Sequence, residues 1–309
     1  MSNTDQRHQK AVVTANKPRD SLRLGFVGMG LMGVPMVQRL LQARYRVNIW
    51  NRSPEKTRTP ELANAISKPS LGELVDDSDI IMICVSDSAA VEELIFTPDG
   101  IAQSARNDQI VIDFSSIQPD ITRALAQQLH LKTGAAWIDA PVSGGVAGAE
   151  SGSLAIMAGG PEVLIDALRP HLKALSQRVT RMGDVGCGQA TKICNQMLVS
   201  CNIAAMAEVL AMAEKSGVDA AALPSALRGG FADSIPLQIT GSRMVNKEFD
   251  EIKWRIKTLI KDLRMADDLS SASQAETPMS KLALSILQQH GDEGFLDLDP
   301  ATLIERYTN

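Results

Sequence analysis

The chain contains few of the residues that build disulfide scaffolds, metal centres or membrane spans. Its 309 residues include four cysteines and four histidines, and aromatic residues make up 4%. The cysteines form no C-x-x-C pair and the histidines are scattered, so we expect no metal site and a reduced, cytoplasmic setting. No run approaches the roughly 18 uninterrupted apolar residues of a membrane helix, and the polar N-terminus lacks the apolar core of a signal peptide.

The chain also lacks an excess of positive charge. Lysine and arginine number 31 against 36 acidic residues, which gives a formal net charge of −5. A mildly acidic chain is a poor candidate for a nucleic-acid binder, which usually carries a basic patch. Hydrophobic residues make up 44% and charged residues 22%, which is ordinary globular usage and enough for about two domains.

Short apolar runs alternate with helical patterns over the first half of the chain. This order predicts right-handed βαβ units, and hence an α/β fold with a doubly wound, mostly parallel sheet. The predicted strands are 22–27, 46–50, 79–85, 109–115, 137–142 and 153–159, and the predicted helices include 31–43, 90–96 and 122–131.

The pattern changes near residue 185, where a glycine-rich junction begins. A long helix is predicted over 190–216, ended by Gly217, and the rest of the chain has helical periodicity without a convincing strand. We therefore expect a mobile polar tail over 1–20, a nucleotide-binding α/β domain over 21–185 and an all-helical domain over 186–309.

A glycine-rich loop joins the first predicted strand to the first predicted helix. In the motif G-x-G-x-x-G the first glycine permits a tight turn, the second lets the backbone approach a pyrophosphate, and the third allows close helix–strand packing. The motif therefore predicts a dinucleotide site in a Rossmann-type domain, although a strand–helix turn with incidental glycines is the alternative. Its residues are Gly28, Met29, Gly30, Leu31, Met32 and Gly33.

The end of the second predicted strand bears on the choice of dinucleotide. A site for NAD usually places Asp or Glu about 20 residues after the first glycine, but this chain has Asn51 and Arg52 there. Arg52 could grip a 2′-phosphate, which a carboxylate would repel. We therefore predict a preference for NADP(H), with NAD as an alternative. The other interpretation of Arg52 is a solvated surface charge.

Lys192 is a candidate acid/base because no histidine occupies a promising position. It lies in the first turn of the predicted helix, and Asn195 and Gln196 follow at i+3 and i+4 on the same face. The positive end of the helix dipole and any desolvation would lower the pKa of this lysine, so that it could exchange a proton with an alcohol. An ordinary lysine at a frayed helix start fits the same spacing.

Two loops follow predicted strands and should lie at the carboxyl edge of the sheet, where α/β proteins bind ligands. One contains Ser116. The other contains Ser143, Gly144 and Gly145, whose exposed amides and hydroxyl suit a small carboxylate, unless the glycines only form a turn.

Together these segments resemble the β-hydroxyacid dehydrogenase family, over about residues 22–305. The family includes 3-hydroxyisobutyrate dehydrogenases, tartronate semialdehyde (2-hydroxy-3-oxopropionate) reductases, semialdehyde reductases and, more distantly, 6-phosphogluconate dehydrogenase. The segments that carry the resemblance, in the family's order, are GFVGMGLMG, DFSSIQP, DAPVSGG, GCGQATKICNQ and a late KDL at 261–263.

The resemblance implies a role for each candidate residue. Lys192 would be the catalytic acid/base, with help from Asn195. Ser143, Gly144 and Gly145 would hold the substrate carboxylate. Ser116, Val85 and Ser86 would contact the nicotinamide side of the cofactor, and Lys261 would close over the site, although it could instead be a solvated helix lysine.

The resemblance implies an oxidoreductase of short hydroxy acids, and we favour a tartronate semialdehyde reductase-like activity over 3-hydroxyisobutyrate dehydrogenase. An imine reductase or a non-catalytic nucleotide-binding protein is less favoured, because such relatives often lack the lysine. Gln196 replaces the family's second asparagine, and Asp233 could bind a substrate hydroxyl or cap a helix. The long apolar helix predicts a homodimer or homotetramer.

Overall fold

The computed structural model describes residues 8–308. The chain divides into two compact units, the first ending at Lys192 and the second beginning at Ile193. This division falls after the boundary predicted at residue 185, because the glycine-rich segment is hydrogen-bonded into the first unit. The N–H of Gly186 donates to Oδ1 of Asp139 there, at 2.8 Å.

Within the described residues of the first unit, nine strands form one sheet in the order β3-β2-β1-β4-β5-β6-β8-β7, with β9 beside β8. The pairs from β3 to β6 are parallel, whereas β8 runs antiparallel to β6 and to β7. The Rossmann-type α/β fold predicted from the sequence is therefore confirmed. The strands are β1 Arg23–Val27, β2 Arg46–Trp50, β3 Ile66–Ser67, β4 Ile80–Ile83, β5 Ile110–Asp113, β6 Ala136–Asp139, β7 Val142–Ser143, β8 Leu154–Gly159 and β9 Ser176–Gly183.

The central strands are buried on both faces, which explains their continuous apolar runs. In β4, for example, Ile80 and Met82 join one core cluster, while Ile81 and Ile83 join the cluster on the opposite face. Helices cover both faces and complete two cores in one unit. These helices are α1 Gln9–Ala15, α2 Gly33–Gln42, α3 Leu71–Asp76, α4 Ser88–Phe96, α5 Ile101–Ser104, α6 Pro119–Thr133, α7 Gly145–Ser151 and α8 Glu162–Leu172.

The segment before β1 corrects the prediction of a mobile tail over residues 1–20. Helix α1 buries Ala11 and Ala15 completely and packs against α8. The carbonyl of Ala15 accepts a hydrogen bond from Nε2 of His171, and Nδ1 of His171 faces the hydroxyl of Tyr45, each at 2.8 Å. The tail prediction is therefore wrong for this helix, whereas residues 1–7 lie outside the described residues.

The second unit is helical, and the described residues 193–308 contain no strand. Its core joins the long helix to the helices that follow, through residues such as Leu210, Leu263 and Leu287. The helices are α9 Cys187–Lys215, which begins in the first unit, then α10 Leu223–Ala226, α11 Ser242–Asn246, α12 Ile256–Ser273, α13 Pro278–His290 and α14 Glu305–Thr308.

Helix α9 is long and apolar enough to cross a bilayer by length and composition alone. In its most apolar stretch of 18 residues, 44% is buried within the protein. The core helix of a globular domain has the same properties, so this finding is weak evidence for a membrane span.

Candidate functional site

The glycine loop between β1 and α2 has a different requirement at each glycine. Gly28 has a φ of +104°, and a Cβ there would lie 2.2 Å from the carbonyl oxygen of Cys84. A Cβ on Gly33 would lie 1.9 Å from the carbonyl oxygen of Gly28, so α2 can begin there only with glycine. At Gly30, by contrast, a Cβ would meet nothing within 4 Å. This open cradle at a helix start fits the close approach of a dinucleotide pyrophosphate.

The polar end of β2 supports the glycine loop. Oδ1 of Asn51 accepts a hydrogen bond from the N–H of Met29 at 2.9 Å, and its Nδ2 donates to the carbonyl of Ser53. Asn51 therefore fixes the loop in addition to ending the strand. Arg52 is 78% exposed and forms an ion pair with Glu93 at 3.1 Å. Exposed pairs of this kind contribute at most about 1 kcal/mol, so this one leaves the guanidinium available to an anionic ligand.

The loops that follow β4 and β5 are joined by hydrogen bonds. The hydroxyl of Ser115 accepts from the N–H of Val85 at 3.0 Å, and the N–H of Ser115 donates to Oδ1 of Asp113 at 2.9 Å. Ser86 is exposed beside this junction, and Ser116 is half-exposed between two buried neighbours. The three residues predicted to face the nicotinamide thus share one edge of the sheet.

The predicted carboxylate cradle follows β6, in the same unit. Ser143 ends the short strand β7 and is half-buried, whereas Gly144 and Gly145 are exposed. Both glycines have positive φ, +135° and +61°, a conformation that L side chains rarely adopt. A Cβ on Gly145 would meet nothing within 4 Å, so this turn, like Gly30, leaves space beside its backbone.

Helix α9 begins at Cys187, earlier than the predicted start at residue 190, and places Lys192 in its second turn. The effect of the helix dipole falls off within the first turn, so the dipole argument for Lys192 as an acid/base does not hold at this position. The buried carboxylate of Asp139 also offsets the positive end of the helix. Its two oxygens accept from the N–H groups of Gly186 and Gln189, at 2.8 and 2.9 Å.

Asn195, Gln196 and Lys261 are connected through Asp262 within the second unit. Nδ2 of Asn195 donates to Oε1 of Gln196 at 2.8 Å, and Nε2 of Gln196 donates to Oδ2 of Asp262 at 2.5 Å. Nζ of Lys261 lies 4.0 Å from the other oxygen of Asp262. The glutamine that replaces the family's second asparagine therefore bridges Asn195 to the acidic residue beside Lys261.

Asp233 stabilises its own loop through hydrogen bonds. One carboxylate oxygen accepts from the N–H of Gly229 at 2.7 Å, and the other accepts from Nε2 of Gln238 at 2.6 Å. These hydrogen bonds lower the pKa of Asp233. The prediction that Asp233 caps the next helix is wrong, because the hydroxyl of Ser234 accepts from the N–H of Leu237 there, at 3.1 Å.

Sequence reasoning missed three buried polar residues in the first unit: Asp113, Asp139 and Gln189. Burial raises the pKa of Asp139, against the hydrogen bonds from backbone N–H groups, which lower it. Burial, together with the neighbouring charge of Asp139, raises the pKa of Asp113 to about 7. The sequence feature that could have identified Asp113 and Asp139 is a carboxylate at the end of each apolar strand run. Among residues 8–308, no group of three or more His, Cys, Asp or Glu side chains could hold a metal ion.

The fold and the glycine loop define a class of protein, and two family models agree with that class. Residues 23–183 match the NAD binding domain of 6-phosphogluconate dehydrogenase, and residues 186–307 match the NAD-binding model of NADP-dependent 3-hydroxyisobutyrate dehydrogenase. The protein is therefore an oxidoreductase that uses a nicotinamide dinucleotide.

Individual relatives narrow this class to a family. The chain is 34% identical over 284 residues to 2-hydroxy-3-oxopropionate reductase from Escherichia coli (strain K12), which covers 92% of this chain and 96% of that protein. The structure of Mycobacterium tuberculosis 3-hydroxyisobutyrate dehydrogenase with L-serine superposes with a TM-score of 0.82 at 27% identity, covering 92% and 98% of the two chains. Psf3 in complex with NADP+ and 2-OPP has a TM-score of 0.80 at 25% identity, covering 92% and 99%. The chain belongs to the β-hydroxyacid dehydrogenase family, and it is an NAD(P)-dependent hydroxyacid dehydrogenase.

Proposed function

We propose that this protein is an NADP(H)-dependent oxidoreductase of short β-hydroxyacids and semialdehydes, with 2-hydroxy-3-oxopropionate as the favoured substrate. The observation that carries the proposal is the start of helix α9, which bears Lys192 and is hydrogen-bonded to the loop after β5 and to the end of β6. The 34% identity to the Escherichia coli reductase supports the choice of substrate.

Lys192 is the proton donor and acceptor of the proposed reaction. A nicotinamide dinucleotide, when bound at the glycine loop, would supply the hydride to the substrate carbonyl carbon or receive it from the alcohol carbon. In the reducing direction the ammonium group of Lys192 gives a proton to the carbonyl oxygen, and in the oxidising direction the amine takes the hydroxyl proton. The positive charge of the ammonium also stabilises negative charge developing on that oxygen. Asn195 orients the lysine or the substrate.

The loops of the first unit hold the ligands. Ser143, Gly144 and Gly145 bind the substrate carboxylate through a hydroxyl and backbone N–H groups, which fixes the reacting carbon. Ser116 and the loop of Val85 and Ser86 contact the nicotinamide side of the cofactor. Lys261 is assigned to binding of the substrate or the cofactor.

Replacement of Lys192 tests the proposed chemistry. Lys192→Ala should fold and bind NADPH but lose kcat by at least about 100-fold, the range that general acid–base catalysis contributes. Lys192→Arg should remain nearly as inactive, because a guanidinium keeps its proton. Lys215→Ala removes an exposed lysine in the last turn of the same helix and serves as the control. Turnover of Lys192→Ala within a few-fold of wild type contradicts the assigned role.

The preference for NADP(H) rests on Arg52 and on the absence of a carboxylate from Val47 to Ser53. Arg52→Gln should lower kcat/KM for NADPH by about 10-fold or more, while kcat/KM for NADH stays within about 3-fold. Arg46→Gln, at the opposite end of β2, is the matched control. A wild-type enzyme that prefers NADH would show that this part of the proposal is wrong.

3-Hydroxyisobutyrate dehydrogenase is the second candidate function. The match of residues 186–307 to the model named for that enzyme and the structural likeness to the Mycobacterium tuberculosis dehydrogenase favour it. Initial rates with 2-hydroxy-3-oxopropionate and with 3-hydroxyisobutyrate, each with both nicotinamide cofactors, distinguish the two candidates. The substrate with the higher kcat/KM decides between them.

A further inference from the structure

Gln189 holds both sides of Ser116 with a single side-chain amide. Its Nε2 donates to the carbonyl of Ser115 at 2.8 Å, and its Oε1 accepts from the N–H of Ile117 at 3.2 Å. A carbonyl can only accept and an N–H can only donate, so these partners fix the orientation of the amide. Gln189 is completely buried, whereas Ser116 between the two anchor points stays half-exposed.

The backbone of Gln189 is fixed as firmly as its side chain. Its N–H donates to Oδ2 of Asp139, and the other oxygen of this fully buried carboxylate holds the N–H of Gly186. Two glycines lie close to the carboxylate, where any larger residue would collide with it. A Cβ on Gly159 or on Gly188 would lie 2.5 or 2.7 Å from one of its oxygens. The first turn of α9 is thus attached to the end of β6, and through Gln189 to the loop after β5.

We infer that Gln189 is a positioning residue that sets Lys192 relative to Ser116. Gln189 precedes Lys192 by three residues, so the two side chains lie on neighbouring turns of one helix face. A change in the Gln189 contacts would therefore shift the proton donor and the nicotinamide-side loop against each other. A misplacement of about 1 Å in such a pair can cost about 100-fold in rate. This inference rests on the proposed function of Lys192 and Ser116.

The chain offers a matched control in Gln109, which immediately precedes β5, whereas Gln189 acts at the carboxyl end of that strand. Gln109 is also completely buried. Its Nε2 donates to the carbonyls of Val75 and Ser78, each at 2.7 Å, and its Oε1 accepts from the N–H of Arg106 at 2.7 Å. Removal of either amide leaves a backbone N–H without its acceptor, that of Ile117 for Gln189 and that of Arg106 for Gln109, so both residues should matter for stability.

The test compares Gln189→Met with Gln109→Met in the full chain. Both should lower Tm. Only Gln189→Met should lower kcat, by about 10- to 100-fold, while Kd for the preferred nicotinamide cofactor changes less than about 3-fold. The primary deuterium isotope effect on kcat, measured with cofactor deuterated at C4, should rise in Gln189→Met alone, because hydride transfer becomes slower than the other steps. Gln189→Asn, which keeps an amide but is one methylene shorter, should show the same changes.

Equal kcat and equal isotope effects in the two Met variants would overturn the inference. Failure of both Gln189 variants to fold while Gln109→Met folds would also overturn it, since the residue would then serve fold stability. The rate of the wild-type protein distinguishes a failure of the positioning role from a failure of the proposed function. A wild-type protein that turns over neither hydroxyacid substrate contradicts the proposed function, whereas an active wild type with unaffected Gln189 variants contradicts only the positioning role.

Discussion

The buried carboxyl of Asp113 makes the stability of the protein depend on pH near neutrality. Asp113 ends β5, directly beside Asp139 at the end of β6. Its Oδ1 accepts from the N–H of Ser115, whereas its Oδ2 is buried without a hydrogen-bond partner among the described residues. Burial and the charge of Asp139 raise the pKa of Asp113 to about 7 in the folded protein, against about 3.9 in an unfolded chain.

The sign of the effect follows from this raised pKa. The folded state favours the protonated carboxyl, so its stabilising contribution is fully present below about pH 4 and is lost as pH rises through about 7. About 3 pKa units correspond to about 4 kcal/mol in total, of which about 2–3 kcal/mol should be lost between pH 5 and pH 8. Asp113→Asn has no ionisation and keeps an oxygen for the N–H of Ser115, so it should escape this loss.

Urea unfolding of wild type and Asp113→Asn at pH 5, 6, 7 and 8 measures the difference directly. The free energy of unfolding of the variant, relative to wild type, should increase by about 2–3 kcal/mol from pH 5 to pH 8. Asp99→Asn, at an exposed aspartate, is the control and should give a flat difference. A flat or falling difference for Asp113→Asn would mean that the carboxyl is already ionised at pH 5, and the reasoning would be wrong.

Further predictions concern the glycine loop, acid stability and assembly. Gly30→Ala should keep the wild-type Tm but weaken NADPH binding by about 10-fold or more in a fluorescence titration. Gly33→Ala should lower Tm sharply, because its methyl group would meet a backbone carbonyl. Equal effects of the two substitutions on Tm and on binding contradict this prediction. The ion pairs of Asp79 lower its pKa to about 2, so its contribution is present above about pH 4 and is lost as pH falls toward 2. Asp79→Asn should therefore cost about 1–2 kcal/mol at pH 7 in urea unfolding, less than the full shift because its cationic partners stay partly in water, and the cost should vanish near pH 2. Leu198 and Met212 on the long helix are 75% and 64% exposed, and a second copy of the chain would cover such apolar side chains. Light scattering should therefore show a homodimer or homotetramer, and a monomer at micromolar concentration contradicts this prediction.

The central strands and the glycine loop were predictable because their signals are local. Apolar runs such as 79–85 and 109–115 mark strands buried on both faces, and the order of glycines encodes the turn itself. Strand β9, Ser176–Gly183, was missed, because it lies at an edge of the sheet and most of its side chains are partly or fully exposed. A polar sequence of this kind shows no strand periodicity, and only its pairing with β8 makes it a strand.

The hydrogen bonds that hold the start of the Lys192 helix were not predictable, because they join segments that are distant in the sequence. Asp139 and Gln189 are 50 residues apart in the chain, and nothing local distinguishes either from an ordinary polar residue. Helix α1 is a similar case, since its few apolar residues become a core only against α8. The predicted position of Lys192 in the first turn was wrong because α9 begins earlier, at Cys187.

The docked helix α1 shows that the folding unit is larger than the domain by which the family is defined. The family model begins at residue 23, after this helix has ended. A chain shortened to that point would uncover the surface of α8 that Ala11 and Ala15 shield, and would leave the imidazole of His171 without its carbonyl acceptor. The region matched by the family model and the region needed for a stable fold therefore begin at different residues in this protein. Shortened versions should retain the residues from at least His8.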